Sequence, residues 1–282
     1  MGKFSRSWSL AKASMGVLRS DKELLVFPLV SAAVTMLVAA SFVLPMFGLG
    51  LFNDFKTDGG GMPVVFYALL FCFYLVQYFV IFFFNTALVG AALIRLDGGD
   101  PTVADGFRIA CGKWKSILGY AAIAATVGML LRALGQKAGF IGRIVVGFIG
   151  VAWTVATYLT VPVLVARDVG PIDAVKESAT LLKATWGENI IGNGGIGLVF
   201  GLANVALVLI VGAVVVLLVV QKMLLLATVV AVLAVLAMML LALVQAALSG
   251  IYSAALYRFA VQGDAPIGFN GVVLRDAFKH KA

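Results

Sequence analysis

The 282-residue chain is 62% hydrophobic and only 12% charged. That is about half the charge a soluble domain needs to cover a water-facing surface, so lipid must solvate most of it. The net charge of +8 sits on no basic face of a soluble domain, which argues against nucleic acid as a partner and for charge flanking a membrane.

Residues 1–23 read as an N-terminal amphipathic helix lying in the membrane interface. Phe4, Trp8, Ala11, Met15 and Leu18 recur at helical spacing on one side, with Arg6, Lys12 and Arg19 on others. No cleavable signal peptide is expected, because this segment is too long and too polar. Residues 24–262 form the membrane domain. Six stretches reach the ~20 apolar residues a spanning helix needs: about 25–51, 64–94, 116–134, 144–166, 190–220 and 223–257. The third is the weakest, with Arg132 and Gly135 crowding its end. Between Glu188 and Arg258 the sole charge is Lys222. One helix over that interval would be roughly 100 Å long, so the chain must turn back, and Lys222 marks the place. Residues 263–282 are a basic tail.

Of the 21 lysines and arginines, only Lys56, Arg132, Lys137, Arg143 and Lys222 fall on one side of a six-span arrangement. The positive-inside rule then puts both termini in the cytoplasm. The expected fold is an all-α integral membrane protein of six transmembrane helices in three hairpins, with an amphipathic cytoplasmic interfacial helix before each. A repeat supports this. Lys12-Ala13-Ser14-Met15-Gly16 matches Lys183-Ala184-Thr185-Trp186-Gly187 in residue type, with a looser copy at Gly112-Lys113-Trp114-Lys115. Three spans exit on an arginine followed by a glycine–proline turn: Arg95 with Gly99 and Pro101, Arg167 with Gly170 and Pro171, Arg258 with Gly263 and Pro266. Glycine permits the reversal, and proline suits the first turn of the next helix. Those helices carry stripes at Val103, Phe107, Ala110 and Trp114, and at Ile172, Val175, Ala179, Leu182 and Trp186.

The opening Phe4-Ser5-Arg6-Ser7-Trp8-Ser9-Leu10, followed by Val17-Leu18-Arg19-Ser20-Asp21-Lys22-Glu23-Leu24-Leu25-Val26-Phe27-Pro28, resembles a bacterial multi-pass membrane protein family, domain-of-unknown-function family 6159. More loosely, the layout is similar to membrane domains found beside glycerophosphodiester phosphodiesterases, without the hydrolase domain. The resemblance implies a bacterial cytoplasmic membrane location and no assigned activity.

Gly192-Asn193-Gly194-Gly195-Ile196-Gly197 spells a dinucleotide-binding pattern. That motif works only between a strand and a helix of a parallel sheet, and here it opens a spanning helix. Close helix packing explains it better, with Gly197 and Gly201 as one small-residue pair and Ala246, Gly250 and Ala254 as another. Nine uncharged polar residues lie within spans: Gln77, Asn85, Thr86, Thr126, Thr154, Thr157, Thr160, Asn204 and Gln245. Each is expected to hydrogen-bond a neighbouring helix, the alternative being a polar path beside the carbonyl that Pro162 frees at Tyr158. No carboxylate lies mid-span. Cys72 and Cys111 occupy different settings, the single histidine is His280, and no metal spacing or catalytic constellation is present. Asp97, Asp100, Asp105, Asp168, Asp173 and Glu177 alternate with basic residues as solvated pairs.

No enzyme and no cofactor are therefore expected. The function expected is a non-enzymatic protein that organises lipid or partner proteins at the cytoplasmic leaflet. Its partners are membrane lipids, with a homo-oligomer or other membrane proteins possible. Trp8, Lys12, Trp114, Lys183 and Trp186 face lipid or partner, and Gly197, Gly201, Ala246 and Gly250 pack helices. The alternative is a transporter or channel for a small or lipid-like solute, which needs a polar cavity between spans.

Overall fold

Hydrocarbon offers no water to a backbone N–H or C=O, so a spanning segment must satisfy both internally, as an α-helix does. The computed structural model describes residues 3–48, 64–186 and 195–263, with Pro266 and Phe269, and its described elements are all helical. In chain order they are α1 (Lys3–Ser20), a 3-10 turn (Lys22–Leu25), α2 (Val26–Gly48), α3 (Val64–Leu96) and α4 (Val103–Gly112). There follow α5 (Trp114–Lys137), α6 (Phe140–Ala156), α7 (Thr160–Ala166), α8 (Pro171–Trp186), α9 (Gly195–Val220) and α10 (Leu224–Gln262). Six stretches are long and apolar enough to cross a membrane: Lys22–Pro45, Phe66–Leu96, Trp114–Lys137, Phe140–Ala166, Phe200–Val220 and Leu224–Gln262. The chain is a multi-pass membrane protein. Arg132 does not end the third span, because its guanidinium donates to the Tyr74 hydroxyl on α3.

The reversals have readable chemistry. After α3 the Gly99 N–H reaches the Ile94 carbonyl and the Gly98 N–H that of Arg95, with Gly98 left-handed at φ 89°. This is the glycine-closed helix end expected there, although Gly98 rather than Gly99 makes the turn. Pro101 lies outside α4. Thr102 caps it instead, its hydroxyl accepting from the Asp105 N–H while Asp105 accepts from the Thr102 N–H. Pro171 does open α8, as its sequence position suggests. At the α9–α10 reversal Lys222 takes φ 61°, and Met223 N–H bonds the Leu218 carbonyl. A lysine in the left-handed region is uncommon, so the turn is imposed by the two apolar helices it joins.

Burial is uneven along the spans. Leu24, Phe27, Leu88, Val89, Leu96, Ile117, Leu159, Leu164, Leu248, Ile251 and Leu256 form one core cluster. All lie toward one end, here the base, where α1, α4 and α8 join the spans. α3 is central: it packs against α2, α4, α5, α7 and α10. Phe107 of α4 meets the rings of Phe27, Phe83 and Phe84 with centroids 5.6–6.3 Å apart. Toward the other ends, the tips, large apolar residues such as Phe140, Phe148, Leu209, Leu217, Leu225 and Leu240 are exposed. Lipid is the solvent that makes such exposure tolerable.

Of the described residues on the apolar stripes of α1, α4 and α8, Ala11, Leu18, Ala110 and Leu182 are buried by the chain itself. On α8 the inward face is Ala174, Ser178 and Leu182, one step from the expected stripe, and Ile172 is 59% exposed. The reason lies in the break between α6 and α7. Pro162 has no N–H, and at Thr157–Leu159 the helix loses its regular bonding. The Ser178 hydroxyl donates to the Ala156 carbonyl at 2.7 Å and accepts from the Leu159 N–H at 3.0 Å. One side chain thus satisfies two backbone groups that lipid could not.

Candidate functional site

Two of the concavities among the described residues lie where several helices meet. The first is a groove of about 450 Å³ between α1, α9 and α10. Ala11, Met15, Gly16, Phe200 and Leu248 make an apolar floor, and Lys12 and Arg19 make a basic rim. These two cations lie two helical turns apart, on one face of α1. Among the described residues neither has a carboxylate partner.

Six other cations of the base are paired, whereas Lys22, Lys115 and Lys183 have no carboxylate partner among the described residues. Arg95 bridges Asp100 at 2.8 Å, Arg258 meets Asp97 at 2.6 Å, Lys113 meets Asp168 at 3.1 Å and Arg167 meets Glu177 at 3.0 Å. Arg108–Asp105 and Lys176–Asp173 are looser, at 3.5 Å. Each interfacial carboxylate named from the sequence therefore faces a cation, and among the described residues no three ligating side chains gather as a metal site. Arg95 also donates to the Ser20 carbonyl and Arg258 to that of Leu96, so the spans' terminal arginines tie the base together. Asp21, just before the first span, is buried, and its Oδ2 has no hydrogen-bond partner. Burial pushes its carboxyl above the usual carboxylate range, opposed by the charge of Arg95. Thr102 hydrogen bonds hold half-buried Asp105 below that range.

The second concavity, about 310 Å³, lies between α2, α3, the α6–α7 break and α10. Ser31, Asn85, Tyr158, Ser249 and Ser253 give it polar groups, set among apolar walls. Counted along their helices, Asn85 lies about 15 Å from Arg95, and Gly250 about 12 Å from Arg258. If those arginines mark the edge of a hydrocarbon layer ~30 Å thick, the cavity sits near its middle. Among the described residues, Asn85, Ser31 and Ser249 have no side-chain hydrogen-bond partner within the protein. Ser253 donates to the Gly250 carbonyl of its own helix.

The expectation that span polar groups bridge helices holds for Gln77, which donates to the Thr35 carbonyl of α2. Thr126, Thr154, Thr157 and Asn204 bond carbonyls of their own helices, as hydroxyls and carboxamides can when a helix carbonyl lies within reach. Thr86 and Thr160 keep buried hydroxyls without a partner.

The residues singled out in the sequence do not form one surface. Lys12 is exposed at the groove, and Lys183 is exposed on α8. Trp114, 47% exposed, opens α5, with the Lys115 ammonium 5.8 Å from its ring centroid. The side chains of Trp8 and Trp186 and the surroundings of Gly197 lie outside the described residues, as do positions 192–194 of the glycine-rich run. Space beside Gly201 is open, whereas Gly250 is closed against Leu88 of α3. The Gly250 patch therefore packs within the chain. Ala246 and Gly250 both line the mid-span cavity. Sequence reasoning missed Ser31, Ser249 and Ser253. The last two are one turn apart beside the glycine stripe, a polar edge on a small-residue face that could have been read.

No curated protein and no solved structure matches the chain. A family described as being of unknown function, DUF6159, matches residues 64–268, from α3 past the end of α10. The match begins beyond the N-terminal residues that carry the resemblance and includes most of the cavity wall. Spanning most of the sequence, it establishes that the chain belongs to the DUF6159 family.

Proposed function

We propose that this protein is a non-enzymatic organiser of anionic lipid at the cytoplasmic leaflet of a bacterial membrane. In this reading the spans pair as three hairpins, each preceded by an amphipathic helix, and the base with both termini faces the cytoplasm. The carrying observation is the groove under α1. Its two cations, Lys12 and Arg19, have no carboxylate partner among the described residues and stand over an apolar floor, the two-part chemistry of a phospholipid with an anionic headgroup. Exposed apolar tips are compatible with further association, as a homo-oligomer or with other membrane proteins.

Native mass spectrometry of protein released from nanodiscs tests this. Wild type should retain phosphatidylglycerol over phosphatidylcholine, and Lys12→Ala with Arg19→Ala should lose that preference. Lys115→Ala, a cation away from the groove, should keep it. Equal retention by the double variant would overturn the proposal. A second reading, a transporter or channel for a small or lipid-like solute, is favoured by the mid-span cavity, and proteoliposome flux tests it.

A further inference from the structure

The mid-span cavity is a poor structural filler. Asn85 brings a carboxamide with two donors and an acceptor, and Ser31 and Ser249 bring hydroxyls, yet none has a partner within the described protein. Such groups cost free energy in hydrocarbon unless bonded. The break between α6 and α7 puts Tyr158 on the cavity wall, and Gly250 keeps α10 close enough to α3 to close it. A purely structural bundle would do better with leucine at residue 85. Among the described residues no lysine, arginine, aspartate or glutamate lines the cavity, so a charged occupant would lack a counter-charge at mid-membrane depth. Ile81 and Ala246, both on its wall, are exposed on the lipid-facing side. Access is therefore from the acyl phase.

We propose that this cavity binds the head of an uncharged, hydroxyl-bearing amphiphile of the monoacylglycerol class. Asn85, Ser31 and Ser249 hydrogen-bond the head, and the alkyl chain leaves past Ile81 and Ala246 into lipid. The volume, near the lower end for small-molecule pockets, suits a glycerol-sized head and the first carbons of the chain. The site is separate from the groove under α1 and stands whether or not that groove takes anionic lipid.

The test is retention of monoolein by the full chain in nanodiscs, read by native mass spectrometry, beside oleate and octadecene. Wild type should retain monoolein at least tenfold better than either. Asn85→Leu should reduce that retention tenfold while raising the Tm of the lipid-matched, monoolein-free protein, because it removes an unpaired polar group. Ser249→Val, a milder change, should reduce retention severalfold with helical content unchanged. Retention unaltered in both variants, oleate held as well as monoolein, or no monoolein retained by wild type would each overturn the proposal. A fall in Tm with Asn85→Leu would mean that Asn85 serves structure and would equally overturn it.

Discussion

The base and the tips are made from almost the same amino acids, yet they are organised differently. At the base, helices from across the chain approach closely: a Cβ on Gly106 would lie 2.5 Å from the Phe27 ring and 2.8 Å from the Ala87 carbonyl. At the tips, a Cβ on Gly147 or Gly212 would meet nothing within 4 Å, and α9 and α10 expose leucine and valine on most faces. Hydrophobicity alone does not drive helices together in lipid, because acyl chains are as apolar as leucine. What distinguishes the base is small residues that permit close contact, aromatic rings that fill the gaps, and polar groups that need partners.

The sharpest way to break that comparison is to exchange glycines for leucine at each end. Gly106→Leu should cost on the order of 3 kcal/mol or more, since one obstacle is backbone and cannot rotate away. Thermal unfolding in nanodiscs should show a large drop or no folded protein. Gly212→Leu should leave Tm unchanged or slightly higher, as leucine is the better helix former. A comparable loss there would mean that another molecule covers the tip.

Ser178→Ala comes next, at about 1–3 kcal/mol, because it strands the Ala156 carbonyl and the Leu159 N–H together. Proteolysis near Thr157–Leu159 should increase. Ser178→Thr, which keeps the hydroxyl, should restore much of the loss.

Asp21 sharpens the same contrast electrostatically. A carboxyl raised by burial favours the protonated form, so its contribution to stability is fully present below its unfolded value and is lost as pH rises through the folded one. Asp21→Asn should therefore raise Tm at neutral pH, with the gain shrinking on acidification. The smallest effect belongs to the tips. Leu209→Ala should alter stability by less than about 1 kcal/mol, since lipid takes the vacated space.

Much of this architecture is legible in the sequence. Six spans, the reversal at Lys222 and the arginine-terminated exits follow from length, charge and turn chemistry, none of which depends on which helices meet. Contacts between distant segments are less legible. The inward face of α8 could not be read from its own periodicity, because Ser178 is turned inward by a backbone defect nineteen residues upstream at Leu159. Likewise, Asn85 and Ser249 look like ordinary span residues until α3 and α10 are set side by side. Gly250 was legible as a packing residue, but its partner Leu88 was not, since small-residue stripes do not name what they pack against.

The contact between Arg258 and the end of α3, at Asp97 and the Leu96 carbonyl, has a consequence for biosynthesis. α10 supplies a wall of the base through Ala247, Leu248, Ile251, Ala255 and Leu256, and it leaves the ribosome after the other five described spans. Until it arrives, Leu88 and Asn85 have no partner wall. The growing chain must hold an open seam through most of its synthesis, and a product stopped short of Ala247 would present that seam to membrane proteases. α10 therefore acts as a checkpoint, closing the base only for chains translated past Leu256.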